Sequence, residues 1–174
     1  MRRFLLPFII FIAFISESSF VELTPLGKLE MDRIFVPRFT IILIMLVTFF
    51  YDRNKAIVYS IIAGLLYDVI YTDIIGVYMF SFPLVIYIIS YTMKVLHVNI
   101  FVVFLITVIG IGLLETIVYG LYYLVNVAPL DWNGFLYNRL LPTAVLNAVF
   151  IILVYYPMKQ FLTKLEKLSM KDSV

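Results

Sequence analysis

The sequence predicts an all-α integral membrane protein: a six-transmembrane-helix bundle forming a single polytopic domain over residues 1–174. Three observations carry this prediction. Of the 174 residues, 64% are hydrophobic and only 14% are charged, against ~45–50% and ~25% in soluble domains. The apolar residues fall into six runs, each near the ~20 residues that cross a ~30 Å hydrocarbon core as a helix. Within the runs there is no period-two alternation of the kind that marks barrel strands; Ile41-Ile42-Leu43-Ile44-Met45-Leu46-Val47 is apolar throughout. A soluble globule of this composition would expose large apolar patches and aggregate. Disorder requires the opposite composition, low hydrophobicity with high charge.

The first span covers about 4–23 and is interrupted by Ser16, Glu17, Ser18 and Ser19. Its start also has the form of a signal peptide, with Arg2 and Arg3 before an apolar run. Glu17, Phe20 and Val21 make a poor cleavage site, so an uncleaved helix is expected. The second span, about 34–51, is uniformly apolar from Phe39 to Phe50. The third, about 55–71, contains Gly64 and Asp68, and the fourth, about 74–93, contains Gly76 and Pro83. Asp68 and Asp73 blur the turn between these two. The fifth, about 98–125, carries Gly110, Gly112, Glu115 and Gly120. The sixth, about 139–156, carries Pro142 and Asn147. In the 157–174 tail, Met158, Phe161, Leu162, Leu165 and Leu168 recur at helical spacing among Lys159, Lys164, Lys167 and Lys171. That pattern reads as a basic amphipathic helix lying on anionic membrane lipid; a frayed basic tail is the alternative.

Charge placement sets the orientation. With the N-terminus inside, Arg2, Arg3, Arg53, Lys55, Lys94, Lys159, Lys164, Lys167 and Lys171 are cytoplasmic. Lys28, Arg33, Arg38 and Arg139 are then outside. This bias obeys the positive-inside rule, and six spans return the basic C-terminus to the cytoplasm.

The residue inventory narrows the chemistry. Cys is absent and there is one His, which excludes disulfides, thiolate metal sites and poly-His centres. His97 falls in a cytoplasmic turn, where a solvated His is expected. No phosphate loop, nucleophile elbow or zincin helix occurs, so neither an enzyme nor a cofactor is expected. A net charge of +2 gives no reason to expect nucleic acid.

Three carboxylates, Glu17, Asp68 and Glu115, lie inside predicted spans. A charge at the bilayer centre costs at least ~2.5–3.5 kcal/mol, so such groups face the bundle interior and have partners. At ~1.5 Å per residue all three sit roughly 20–25 Å from the cytoplasmic edge. Arg38 and Arg139 end spans two and six at a similar depth, so an outer-half ionic cluster is expected, with its pairing left open. Helix packing or docking of another subunit is favoured over transport as its role. Asp68 with Arg139 is one pairing to be tested. Small residues mark close helix contacts: Gly112, Thr116 and Gly120 on span five, Ser60 and Gly64 on span three, Ala144 and Ala148 on span six. These faces are either internal or bind another subunit's helix. Asn147, near mid-membrane, is expected to hydrogen-bond between helices.

Several strings, in order, resemble the rod shape-determining protein MreD family. They are Met1-Arg2-Arg3-Phe4-Leu5-Leu6-Pro7-Phe8 with Ser16-Glu17-Ser18, and Gly64-Leu65-Leu66-Tyr67-Asp68 with Gly76-Val77-Tyr78-Met79-Phe80. Lys94-Val95-Leu96-His97 follows, then Asn133-Gly134-Phe135 with Arg139-Leu140-Leu141-Pro142-Thr143 and Asn147. The resemblance covers essentially the whole chain. It implies a non-catalytic subunit of the bacterial cell-elongation complex in the cytoplasmic (inner) membrane, partnering MreC directly. Through MreC it implies a connection to MreB filaments, the polymerase RodA and a class-B penicillin-binding protein. It implies a fold resembling the substrate-capture subunit of energy-coupling-factor transporters. It also makes Gly64, Asp68, Gly76, Arg139, Pro142 and Asn147 the structurally critical positions. The alternative function is that of a vitamin-capture subunit of such a transporter.

Overall fold

A computed structural model describes residues 5–23, 33–93, 96, 98–128 and 130–171. Lys94 and His97, on which the cytoplasmic-turn reading partly rests, lie outside the described residues, as do the N-terminal arginines and Lys28. The elements are α1 (Leu5–Leu23), α2 (Phe39–Phe50), α3 (Arg53–Tyr71), α4 (Val77–Thr92) and α5 (Ile100–Leu124). A single turn, α6 (Trp132–Gly134), then passes through a π-helical turn (Phe135–Leu140) into α7 (Leu141–Lys171). Strands are absent among the described residues. Counting α6, the π turn and α7 as one rod, six apolar helices make the bundle.

The central helix is α2, which packs against α1, α3, α4, α5 and α7. Every residue from Phe39 to Val47 is buried. A helix that is apolar on all sides must be surrounded by other helices, and this one is. The outer helices are two-sided. Ala56, Ser60, Ala63, Gly64, Tyr67 and Asp68 of α3 face inward, while Val58, Ile61, Ile62, Leu65 and Val69 are exposed. Such an exposed apolar girdle is what a hydrocarbon surround accommodates and water does not.

Local chemistry places the helix starts. Asp52 accepts from the backbone N–H of Asn54 and Lys55 at 2.8 and 3.1 Å and caps α3. Asn99 accepts from Val102 N–H at 2.8 Å and caps α5. Asp131 does the same for α6 through Gly134 N–H at 3.1 Å.

Four features differ from the sequence reading. The second helix starts at Phe39, not near 34, and residues 33–38 run outside any helix. Pro37 accounts for this, because proline disfavours helical backbone in the residue before it. The blurred α3–α4 turn is in fact sharp, ending α3 at Tyr71 and passing through Gly76 at φ +110°, a left-handed conformation suited to glycine. Among the described residues three helices, Arg53–Tyr71, Ile100–Leu124 and Trp132–Leu168, are long and apolar enough to cross a membrane, whereas the apolar stretches Leu5–Phe20, Phe39–Phe50 and Val77–Thr92 are shorter. Finally, α7 runs through Pro157 to Lys171 without ending. Its Met158 and Leu162 are buried in the common core, with Phe161 and Leu165 packed against it. The apolar side of the tail therefore rests on protein rather than on lipid, while Lys159, Lys164 and Lys167 stay exposed.

Candidate functional site

The polar residues converge at the end of the bundle where α1 and α3 finish and α2, α4 and α7 begin. The non-helical 33–38 segment organises it. Pro142 has no N–H, so the carbonyl one helical turn back, on Asn138, lacks its usual donor. Ile34 N–H fills that place at 2.6 Å. The π turn over Phe135–Leu140 precedes this proline. One turn on, the Thr143 hydroxyl accepts from Val36 N–H at 3.2 Å. Asn147 then donates to Val36 O at 2.9 Å and accepts from Arg38 N–H at 2.8 Å. Asn147, expected to hydrogen-bond between helices, instead bonds the non-helical segment that leads into α2. Backbone groups that would be stranded in an apolar layer are thereby satisfied.

This segment delivers Arg38 to the start of α2, inside the bundle. Its Nε donates to Glu115 Oε1 at 2.7 Å, and its Nη2 lies 2.6 Å from the same oxygen. Nη2 also donates to the Tyr78 hydroxyl at 2.8 Å. From the π turn, Arg139 Nε donates to Glu115 Oε2 at 3.0 Å. The Glu115 side chain is 0% exposed, Arg38 3% and Arg139 24%. One carboxylate thus holds two guanidiniums, and Glu17 is a second negative charge near Arg38. The guanidinium of Arg38 also sits over the Tyr78 and Tyr67 rings, 5.0 and 5.8 Å from their centroids, a favourable cation–π placement.

The other two carboxylates are helix caps supplied from neighbouring helices. Glu17 Oε1 accepts from Thr40 N–H at 2.6 Å at the start of α2. Asp68 accepts from Gly76, Tyr78 and Met79 N–H at 2.8, 2.8 and 2.9 Å at the start of α4. A carboxylate at a helix N-terminus meets both free N–H groups and the positive end of the helix dipole. A direct Asp68–Arg139 pair is therefore not formed: Asp68 is saturated by backbone, and Arg139 bonds Glu115. Gly64 explains how α4 reaches Asp68. A Cβ there would stand 2.4 Å from the Tyr78 carbonyl oxygen and 2.8 Å from Met79 Cα. Gly64, Asp68 and Gly76 are one device, a close crossing, a cap and a left-handed turn.

The small-residue faces separate. Ser60 and Gly64 are internal. Nothing lies within 4 Å of a Cβ built on Gly112 or Gly120, and Thr116 between them is exposed, with its hydroxyl donated to Gly112 O at 2.7 Å. That stripe faces outward, away from the ionic cluster. Sequence reasoning missed Tyr67, Tyr78 and Thr143. Thr143 was legible in principle, four residues before Asn147 on one helical face; the tyrosines were not. The described residues hold no cluster of His, Asp or Glu fit to bind a metal ion.

A family model described as rod shape-determining protein MreD matches residues 2–165. The chain belongs to the MreD family. It is 38% identical over 167 residues to the Rod shape-determining protein MreD of Bacillus subtilis (strain 168), covering 96% of this chain and 97% of that protein. No solved structure matches the chain. Family membership supports a membrane protein with a role in rod-shape determination. Within this MreD-family chain, the Gly64-to-Asp68 string and Gly76 now have a physical basis in the α3–α4 crossing.

Proposed function

We propose that the chain is a non-catalytic membrane subunit of the bacterial cell-elongation complex, partnering MreC and through it RodA, a class-B penicillin-binding protein and MreB. The supporting observation is how its polar groups are spent. Glu115 is held by two arginines, Asp68 by three backbone N–H groups and Glu17 by one. Carboxylates committed to structure cannot also serve as a free acid–base pair. The outward Gly112/Thr116/Gly120 stripe offers the close-approach face that transmembrane helices use to associate, and it is the surface against which we place MreC. The chain is placed in the cytoplasmic membrane with both termini inside, which puts the ionic cluster in the outer half.

Gly112→Leu and Gly120→Leu test this reading. Each should weaken co-purification with MreC while the amount of folded protein stays unchanged. The alternative, a vitamin-capture subunit with the energy-coupling-factor fold, would be favoured by nanomolar binding of a vitamin together with indifference to MreC.

A further inference from the structure

One cavity at the polar end is not consumed by the contacts that hold the fold. It has a volume of about 390 Å³, within the ~300–1,000 Å³ range of small-ligand sites. It lies between the end of α1, the non-helical segment and the ends of α3 and α4, and is half open. Its walls carry opposite charges. On the α1 side stand Glu17, which is buried, and Glu22, which is exposed. Arg38 and Arg139, the two guanidiniums that share Glu115, also line it, and Arg38 is near enough to Glu17 for their charges to attract. Arg139 bonds Glu115 only through Nε, and among the described residues its terminal nitrogens have no partner. Tyr67 and Tyr71 line the space between. The Tyr67 hydroxyl is buried with no hydrogen-bond partner among the described residues, although buried polar groups are nearly always satisfied.

We propose that this cavity binds a zwitterionic group, an ammonium joined by a short linker to a phosphate or carboxylate. A purely anionic ligand would face Glu17 and Glu22 across the cavity. A purely cationic one would face the unpaired terminal nitrogens of Arg139. A zwitterion places its anion on the free edge of Arg139, where charge-assisted hydrogen bonds are strongest, and its ammonium toward Glu22 and Glu17. This inference is independent of the assembly role: it concerns the open interior of the polar end, whereas the MreC surface lies on α5. Two sources supply such a group, the headgroup of phosphatidylethanolamine and a soluble zwitterion such as phosphoethanolamine.

The test uses the full chain purified in detergent. Retention of phosphatidylethanolamine is compared by native mass spectrometry with retention of phosphatidylglycerol of the same acyl chains, with soluble O-phosphoethanolamine as a separate probe. Phosphatidylethanolamine should be retained about fivefold more, the discrimination that one exposed ion pair supplies. Excess O-phosphoethanolamine should displace it if the headgroup is what is recognised. Binding of O-phosphoethanolamine with no lipid preference would assign the site to the soluble zwitterion. Glu22→Gln, on the exposed rim, should reduce binding severalfold at an unchanged melting temperature. Equal retention of both lipids with no binding of O-phosphoethanolamine overturns the proposal, and so does a Glu22→Gln variant that binds as the unaltered chain does. The lipid comparison needs no variant, so a folding defect cannot mask the result.

Discussion

Asp68 and Glu115 both carry a negative charge in an apolar layer, yet their energetics differ. Asp68 answers three backbone N–H groups at the start of α4, so its removal strands donors rather than a charge. Asp68→Ala should lower stability by about 2 kcal/mol or more, combining the loss of a cap with unsatisfied buried N–H groups. Reversible unfolding in detergent measures this. A double-mutant cycle of Asp68 with Arg139 should give additive effects, because the two share no contact. The cycle of Glu115 with Arg139 should show coupling. Removing one member of a buried ion pair costs ~3–5 kcal/mol, since the partner is left charged and unpaired. Glu115→Gln should be the most damaging change in the cluster, as it abandons both Arg38 and Arg139. Arg38→Gln should cost more than Arg139→Gln, because the Arg139 side chain keeps 24% of its surface exposed and solvent weakens such pairs.

Helices meet by two kinds of glycine contact, and substitutions should separate them. Gly64→Ala drives a methyl into the Tyr78 carbonyl, 2.4 Å away and part of the backbone, so α3 and α4 must part. Overpacking of this kind costs ~1–3 kcal/mol. Gly112→Ala meets only open space and should change stability by less than ~0.5 kcal/mol. A melting temperature for Gly112→Ala as low as that of Gly64→Ala would contradict the outward placement. At the start of α7 the decisive residue is Pro142. Pro142→Ala restores an N–H that competes for the Asn138 carbonyl now bonded to Ile34 N–H. The non-helical segment should then loosen, and a cysteine placed at Ile34 should react faster with a maleimide. An unchanged labelling rate would show that Thr143 and Asn147 suffice to hold it.

The whole molecule is a ring of half-exposed helices around one buried helix, with its polar groups gathered at one end. The gathering follows from chain direction. At that end α2, α4 and α7 start and α1, α3 and α5 finish, so unsatisfied N–H groups are presented there and carboxylates are drawn to them. The proposed orientation, with both termini cytoplasmic, requires that alkaline phosphatase fused after Asp131 be active and after Lys55 inactive. Activity at Lys55 would invert or break the six-span arrangement. A chain that folds this way should also tolerate changes in the exposed lysines of α7 better than changes in Met158 or Leu162, which lie in the core.

Composition and run length settle the class of this protein, because a chain that is 64% hydrophobic has only lipid to hide in, and lipid admits only helices or closed barrels. The same reasoning located α2 as apolar all round, found Glu17, Asp68, Glu115, Arg38 and Arg139 at matching depth, and picked out Asn147 as a bonding residue. The partners of those groups were beyond it. Helical depth is a one-dimensional quantity, whereas the meeting of both Arg38 and Arg139 at Glu115, or the choice between a cation and an N-terminus for Asp68, depends on rotation about each helix axis and on which helices are neighbours. The non-helical segment escaped for a related reason. An apolar run such as Ile34-Phe35-Val36 fits helix and strand alike, and it is the carbonyl left free by Pro142, more than a hundred residues away, that pairs with it outside any helix. Orientation of the glycine stripes was likewise undecided in the chain, since Gly64 and Gly112 have the same spacing signature and differ only in whether another backbone lies against them.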